Sequence, residues 1–140
     1  MSEVVRADLP VVVIGGGPVG LAAAAHLLER GLEPVVLEAG EGPGAAVASW
    51  GHVRLFSPWR YDIDDAARRL LEPTGWAAPE LDRLPTGGEL VDEYLVPLAA
   101  TPAIASRLRT RTRVLAVARD GADKTRSLGR ERRAYRVRTV

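Results

Sequence analysis

Cysteine is absent from this chain of 140 residues. Its absence excludes a thiol nucleophile, a redox-active disulfide and a metal site built from thiolates. Long apolar runs are missing too: no stretch of about eighteen residues is free of charges and helix breakers, so we expect no membrane span. The first residues also lack the basic-then-apolar pattern of a secretion signal. These absences predict a soluble, cytoplasmic protein, and the length predicts one domain over residues 1–140.

The whole chain has no large excess of either charge, since its net charge is +1. The charges are nevertheless unevenly distributed along the sequence. Residues 107–138 hold twelve basic and three acidic side chains. Such asymmetry is a mark of nucleic-acid-binding tails, and steep salt dependence would be its signature. Here the arginines between Arg107 and Arg113 alternate with Leu and Thr, which indicates one solvated face of a strand. No aromatic stacking platform lies among them, so nucleic-acid binding is not expected.

The most informative stretch that is present runs from Val11 to Gly20. Four β-branched residues precede glycines with the spacing G-x-G-x-x-G, at Gly15, Gly17 and Gly20. An alanine-rich helical segment follows, with Pro18 in its first turn, where a missing N–H does no harm. A strand that turns on glycines into a helix lets the backbone approach a pyrophosphate and aims the helix N-terminus at it. The stretch therefore predicts a dinucleotide site.

Each glycine of this loop has its own predicted task. Gly15 permits the tight turn, Gly17 leaves room for the pyrophosphate, and Gly20 lets the helix pack closely on the strand. Gly31 is placed to end the helix in a left-handed conformation. An ordinary strand–helix turn that binds no ligand is the alternative interpretation.

A second predicted strand, Pro34–Glu38, ends on an acid 18 residues after Gly20. In a dinucleotide site an acid at this place accepts hydrogen bonds from the ribose hydroxyls of the adenosine half. The same carboxylate would repel a 2′-phosphate, which argues against NADP in this site. The alternative is that Glu38 is a solvated strand end.

The loop over residues 39–60 departs from a plain NAD-binding unit, which would continue into a helix and a third strand. It holds Trp50, His52, Arg54, Phe56 and Trp59, a dense cluster for a chain that is 5% aromatic. A long loop with such side chains carries function or fills a core. For each of the three aromatic residues we expect core packing, and for the histidine we expect an ordinary loop role rather than catalysis.

Further elements are predicted beyond this loop. A short helix begins at Asp62 or Asp64 and ends at Leu71, and Thr86 with Glu89 has the spacing of a capping box. The helix that follows is expected to kink or end near Pro97. Two strands of a hairpin-like pair complete the pattern, at residues 113–117 and 134–140.

The chain resembles the N-terminal part of the two-dinucleotide-binding-domain flavoproteins. Four segments carry the resemblance: the glycine loop Gly15–Gly20, the strand ending on Glu38, the loop Trp50–Trp59 and the helix from Thr86 to Leu98. That class includes the flavin-containing monooxygenases and the thioredoxin-reductase-like enzymes. The resemblance implies an α/β fold, a Rossmann-like FAD/NAD(P)-binding domain with a parallel sheet and a partial β-meander. It also implies FAD as the cofactor, with NAD(P)H as reductant in the full-length family, and an oxidoreductase that is monooxygenase-like.

The resemblance assigns roles to the residues of the glycine loop. It implies that Gly15, Gly17 and Gly20 shape the FAD pyrophosphate site. The N–H groups around Pro18 and Val19 would face the phosphates. Glu38 would hold the adenosine ribose, as its position after the loop already indicates.

The remaining implied roles lie outside the loop. Arg54, Ser57 and the neighbouring aromatic residues would run near the flavin ring, and Val114, at the start of the third strand, would lie near the adenine through its backbone. A solvated arginine or a carboxylate partner is the alternative for Arg54. No catalytic residue and no small-molecule substrate can be assigned from the sequence.

The chain departs from the family pattern after the first glycine loop. A second glycine-rich unit for NAD(P)H and the later glycine–aspartate motif are both absent, and the lack of a cysteine pair argues against a disulfide reductase. We therefore expect a partial, apparently truncated flavoprotein without independent turnover and with weak flavin retention. The first strand would be an open sheet edge that favours a homodimer or aggregation. The alternatives are a non-catalytic dinucleotide-binding module, a subunit completed by another chain, and a simple NAD-binding dehydrogenase domain.

Overall fold

The computed structural model describes residues 9–140. Its first three elements are strand β1 (Val11–Ile14), helix α1 (Pro18–Glu29) and strand β2 (Pro34–Leu37). The two strands are parallel, with Val11 opposite Pro34 and Ile14 opposite Leu37. β-branched side chains suit such a pleated sheet. The predicted order of strand, glycine turn, helix and strand is confirmed, and with it the Rossmann-like α/β expectation.

Helix α1 ends as its sequence predicts. Gly31 has a φ of +71°, in the left-handed region that a Cβ disfavours. The N–H groups of Gly31 and Leu32 donate to the carbonyl oxygens of Leu28 and Leu27 at 3.1 and 3.0 Å. This pattern satisfies two of the last helical carbonyls and turns the chain toward β2.

The third strand of the parallel sheet is β3 (Leu108–Arg109), which pairs with β2. The sheet order is β1-β2-β3, so β1 lies at one edge. The prediction that the third strand begins at Val114 is therefore wrong. The parallel ladder stops after Arg109 because Arg111 adopts a left-handed φ of +52°, which breaks the extended run of alternating arginines.

Val114 instead begins β4 (Val114–Arg119), which pairs antiparallel with β5 (Tyr135–Thr139). The predicted hairpin-like pair is confirmed. The two strands form a sheet of their own, separate from the parallel sheet. This pair is the part of a β-meander that the chain contains.

Short helices fill the sequence between β2 and β3. They are α2 (Ala45–Ala48), α3 (Trp59–Asp62), α4 (Asp65–Leu71), α5 (Gly87–Leu90), α6 (Val96–Ala100) and α7 (Pro102–Ala105). Asp64 caps α4 by accepting the N–H of Ala67 at 2.9 Å. Thr86 and Glu89 form the predicted capping box at the start of α5.

Pro97 neither ends the helix nor leaves a carbonyl without a partner. One π turn, Val91–Leu95, joins α5 to α6, and the helix continues past the proline to Ala100. A proline cannot donate to the carbonyl four residues earlier, here that of Glu93. The indole N–H of Trp76 donates to that carbonyl oxygen at 2.8 Å. The expected disturbance is thus a change of helix type, and a side chain replaces the missing donor.

The hydrophobic core lies between α1, the parallel sheet and the short helices. Its largest buried side chains include Trp59, Tyr94, Leu21, Leu71 and Leu98. Core packing is confirmed for Trp59, and it is wrong for Phe56, which is 99% exposed. Trp50 is in between, since its ring packs on Gly87 while its outer face remains exposed. Within residues 9–140, no helix combines the length and apolar character that crossing a membrane requires.

Candidate functional site

The turn between β1 and α1 requires glycine at two positions, at one for its backbone conformation and at the other for close packing. Gly15 has a φ of +102°, and its N–H donates to the Leu37 carbonyl at 2.8 Å. A Cβ on Gly20 would overlap the Gly15 carbonyl oxygen and lie 3.4 Å from Cγ1 of Val13. The first and third glycines of the motif are therefore required by the turn and by the close packing of α1 on β1.

The N-terminus of α1 faces open space. Gly17 is the N-cap residue and supplies no side-chain cap, and a Cβ placed on it would meet no atom within 4 Å. Val19, in the first turn, is 83% exposed. The first N–H groups of a helix have no partner within the helix, and the helix dipole adds a partial positive charge there. An uncapped, glycine-lined helix start of this kind fits a phosphate group.

Glu38 lies directly beside this turn. One carboxylate oxygen, Oε2, accepts the N–H of Gly16 at 2.7 Å, and Oε1 accepts the N–H of Gly40 at 2.7 Å. The carboxylate thus ties the glycine loop to the loop after β2. Each oxygen has a further lone pair for a hydroxyl donor. Gly16 is not one of the three motif glycines, yet a Cβ there would lie 3.1 Å from the Cβ of Glu38.

The segment before Val114 continues along the end of β2. The N–H groups of Thr112 and Arg111 donate to the carbonyl oxygens of Glu38 and Gly40 at 2.9 and 2.8 Å. Val114 lies two residues further on, where it pairs with Thr139. The structure therefore brings the backbone before Val114 next to Glu38, although Val114 belongs to a different sheet from the one predicted.

A cleft of about 720 Å³ opens beside the start of α1. Pro18, Val19 and Ala22 line it from α1. The polar groups of the cleft come from residues 60–65 and Tyr94. Apolar side chains from the other elements form much of the rest of its wall: Val47, Trp50, Leu55, Ile63 and Leu90. The cleft and the glycine loop thus share the first turn of α1, so one elongated molecule could contact both.

Ser57 and Asp62 form a polar pair at this cleft. The Ser57 hydroxyl donates to Oδ1 of Asp62 at 2.6 Å. The other oxygen, Oδ2, is buried and has no hydrogen-bond partner among residues 9–140. Burial raises the pKa of the Asp62 carboxyl, and the Ser57 hydroxyl opposes that shift only in part. Sequence reasoning selected Ser57 but not Asp62, which it treated only as one start of a helix.

The other polar residues of the aromatic loop do not join this pair. Arg54 is exposed, and its guanidinium donates to the Leu84 carbonyl oxygen at 2.6 Å rather than to a carboxylate. His52 and Phe56 are exposed as well. The loop therefore brings Ser57 to Asp62, which lines the cleft, and leaves Arg54 on the surface.

His26 and Asp64 connect α1 to α4. Nε2 of His26 lies 2.7 Å from Oδ1 of Asp64, whose backbone N–H donates to the Tyr94 hydroxyl at 3.2 Å. Burial by itself would raise the pKa of Asp64, but hydrogen bonds from the Ala67 N–H and from His26 outweigh it and hold the pKa below its ordinary value. This network is structural, since it ties α1 to the start of α4.

Solved structures resemble this chain over most of its length. A bacillithiol disulfide reductase from Bacillus cereus matches with a TM-score of 0.65 and 26% identity, over 93% of this chain and 33% of that protein. A steroid monooxygenase bound to NADP matches with a TM-score of 0.60 and 26% identity, over 79% of this chain and 20% of that protein. OTEMO in complex with FAD and NADP shares the fold at 22% identity, with a TM-score of 0.65 over 99% of this chain and 23% of its own.

The chain thus spans a third or less of the length of these solved structures. The family model for FAD dependent oxidoreductases matches residues 10–140, which include the glycine loop, Glu38, the cleft and the hairpin. That match covers nearly the whole chain. The observed fold of the chain and its glycine loop both agree with the family match. The chain belongs to the FAD-dependent oxidoreductase family.

Proposed function

We propose that this chain binds FAD through the loop Gly15–Gly20 and forms the FAD-binding part of an FAD/NAD(P)-dependent oxidoreductase. The observation that carries the proposal is the uncapped start of α1, open at Gly17, with the Glu38 carboxylate fixed beside it. When bound, FAD supplies the redox chemistry. The protein supplies binding and orientation.

The residues of the site divide the cofactor between them. The N–H groups of Gly17, Val19 and Gly20 face the phosphates, whereas Pro18 has no N–H to offer. Glu38 accepts from the ribose hydroxyls of the adenosine half while it keeps its bonds to Gly16 and Gly40. The same carboxylate disfavours a 2′-phosphate, so NADP does not compete for this loop.

We assign the adenine and flavin ends of FAD to the protein segments that lie next to the glycine loop and Glu38. The backbone near Val114 serves the adenine side, since its preceding residues are bonded to Glu38 and Gly40. The cleft beside Pro18 and Val19 serves the flavin side, and Ser57 is bonded to Asp62, which lines this cleft. Arg54 keeps a surface position near this side.

We further propose a monooxygenase-like enzyme with NAD(P)H as its reductant. The likeness to a steroid monooxygenase bound to NADP supports it, as does the aromatic loop after β2. A second candidate is a non-catalytic module or a subunit completed by another chain. Within residues 9–140 the structure contains one β-strand–helix–β-strand dinucleotide unit, β1-α1-β2, and this observation supports that candidate.

A matched pair of glycine variants tests FAD binding. Gly17→Ala adds a Cβ that meets no protein atom but occupies the space assigned to the phosphates. We expect it to weaken FAD binding at least tenfold, measured by quenching of flavin fluorescence, with the melting temperature unchanged. Gly42→Ala, whose Cβ also meets nothing within 4 Å, is the control and should bind like the parent. Equal affinity of the two variants would overturn the proposal.

Addition of NADPH to the FAD-loaded protein separates the two candidates. Bleaching of the flavin absorbance supports an oxidoreductase that turns over by itself. Bound flavin that does not bleach supports the module or the subunit.

We also propose that the edge of β1, which has no strand beside it among residues 9–140, pairs with β1 of a second copy. The N–H groups of Val11 and Gly15 point toward β2, so those of Val12 and Ile14 point outward. An open apolar edge of this kind is a template for strand pairing. Val11→Lys places a charge on this edge and should convert a dimer to a monomer in light-scattering measurements. A parent protein that is already monomeric would refute the pairing.

A further inference from the structure

Arg111 has a backbone conformation that its side chain disfavours. Among residues 9–140 it is the one residue other than glycine with a positive φ, which is +52°. The left-handed region is uncommon for side chains of this kind, because the Cβ lies too close to the following carbonyl oxygen. Glycine or asparagine would suit a turn at this position better, so the turn alone does not account for an arginine.

Hydrogen bonds to the loop after β2 hold Arg111 in this conformation. Its N–H donates to the Gly40 carbonyl oxygen at 2.8 Å, and the N–H of Thr112 donates to the Glu38 carbonyl oxygen at 2.9 Å. Gly40 in turn donates its own N–H to the Glu38 carboxylate at 2.7 Å. The backbone of Arg111 is thereby fixed beside the residue that binds the carboxylate assigned to the adenosine ribose.

The ion pair that Arg111 makes does not account for the arginine either. Its guanidinium lies 3.9 Å from Oε1 of Glu41, and the two side chains are 76% and 88% exposed. Exposed pairs of this kind contribute little to stability. The guanidinium is therefore available to a bound molecule, and its plane can lie flat on an aromatic base, whereas a lysine ammonium acts as a point charge.

We propose that the guanidinium of Arg111 stacks on the adenine ring of FAD and so holds the adenosine end of the cofactor. This role rests on the proposed function, because it takes FAD as the occupant and Glu38 as the ribose ligand. The adenine is joined directly to that ribose, and the backbone of Arg111 and Thr112 is bonded to Glu38 and Gly40. Arg111 thus determines specificity for a cofactor that contains adenosine.

The test compares the parent with Arg111→Asn in binding FAD and in binding ADP, which has the adenosine and the pyrophosphate but no flavin. Asparagine tolerates the left-handed conformation, so the variant should melt at or above the temperature of the parent. Loss of the stack should weaken the binding of FAD and of ADP by the same factor, about two- to fivefold. A merely structural role of the arginine would not produce a loss of affinity without a loss of stability.

Two further variants separate stacking from charge. Arg111→Lys keeps the charge but not the planar group, and it should bind FAD more weakly than the parent at low and at high salt alike. Attraction between the charge and the pyrophosphate would instead let lysine restore the affinity at low salt, and that result would overturn the stacking. Arg126→Asn removes one exposed arginine from the turn of the hairpin β4–β5, so it controls for the lost charge and should bind like the parent.

The outcomes separate the role of Arg111 from the proposed function. If the parent binds neither FAD nor ADP, the proposed function fails. If the parent binds both and Arg111→Asn binds them equally well, the FAD site stands and the role of Arg111 is refuted. A loss for FAD without a loss for ADP would also refute it, because the contact would then lie at the flavin end. Should Arg111→Asn melt below the parent, Arg111→Gly takes its place, and a second lowered melting temperature would overturn the strained conformation on which the role depends.

Discussion

The parallel sheet and the hairpin β4–β5 are built from similar residues but are stabilised by different interactions. Val36 in β2 is fully buried, whereas Val117 in β4 is 49% exposed and Leu115 is 51% exposed. Strand β2 has a strand on each side and helix α1 packed against it, whereas among residues 9–140 β4 pairs only with β5. Buried parallel strands are stabilised by apolar burial, and an isolated two-stranded hairpin is marginal by itself.

Local polar contacts are what the hairpin has instead of a core. The Arg119 guanidinium lies 3.9 Å from the centre of the Tyr135 ring and also donates to the Arg133 carbonyl oxygen at 2.6 Å. Arg136 pairs with Asp120 across the turn. Exposed contacts of this kind contribute little each. The comparison teaches that the glycine loop belongs to the well-packed region, whereas most basic residues of the segment 107–138 lie in the hairpin and its turn, which bury little apolar surface.

The largest effect should come from the buried aromatic side chain of the rigid region. Trp59→Ala removes a fully buried indole and should lower the free energy of unfolding by about 3–5 kcal/mol. Phe56→Ala, three residues earlier and 99% exposed, should change it by less than about 0.5 kcal/mol. Urea denaturation followed by tryptophan fluorescence of the remaining indoles, with circular dichroism as a second probe, measures both. Equal costs would contradict the burial assigned to the two residues.

The next effect tests the turn that carries the site. Gly20→Ala forces a Cβ onto the Gly15 carbonyl, so we expect a loss of about 1–3 kcal/mol as α1 moves off β1. FAD affinity should fall along with stability. Gly17→Ala is the contrast, since it should lower affinity and leave stability unchanged. A Gly20→Ala protein as stable as the parent would show that α1 is not packed against the strand as described.

The cap that joins α4 to α1 should have a smaller, pH-dependent effect. Asp64→Ala removes the bond to Ala67 and the contact with His26, at a cost of about 1 kcal/mol near neutral pH. The folded pKa of Asp64 lies below its ordinary value of 3.8, so its charge stabilises the fold above that value. The advantage disappears as the pH falls through the folded pKa. Thermal melts from pH 7 down to pH 3 should therefore show the parent and variant converging.

A conservative variant resolves the two parts of that effect. Asp64→Asn keeps an N-cap oxygen but not the charge, so it should lie between the parent and Asp64→Ala at pH 7. A difference between parent and Asp64→Ala that stays constant down to pH 3 would show that the charge has no role.

The sequence predicted the elements whose cause is local. The glycine turn, the left-handed Gly31 and the capping box at Thr86 each follow from a few adjacent residues, and all three are confirmed. Of the two starts predicted for the short helix, Asp62 and Asp64, the structure selects Asp64. The short β3 did not follow, because the alternation of arginines runs on past Arg109 and only the left-handed Arg111 ends it. Whether Phe56 or Trp59 is buried depends on which side of the loop packs against the core, and this is determined by tertiary structure.

The same limit applies to the candidate site. Gly17 and Glu38 could be placed because their spacing reflects one strand, one turn and one helix. The pairing of Ser57 with Asp62 depends on a one-turn helix that begins after Pro58, and the burial of Oδ2 depends on elements distant in sequence. A single sequence contains no local signal for such burial.

The smallest effect is expected in the hairpin, and a valine-to-alanine substitution made in both regions tests this expectation. Val36→Ala should cost about 2 kcal/mol, since it removes two buried methyl groups and leaves a cavity. Val117→Ala removes the same atoms from a half-exposed site and should cost less than about 0.5 kcal/mol. Amide hydrogen exchange followed by mass spectrometry should show the difference without mutation, because exchange is fast where little apolar surface is buried. Protection of residues 114–119 equal to that of residues 34–37, or equal costs for the two valines, would mean that a partner covers the hairpin in solution.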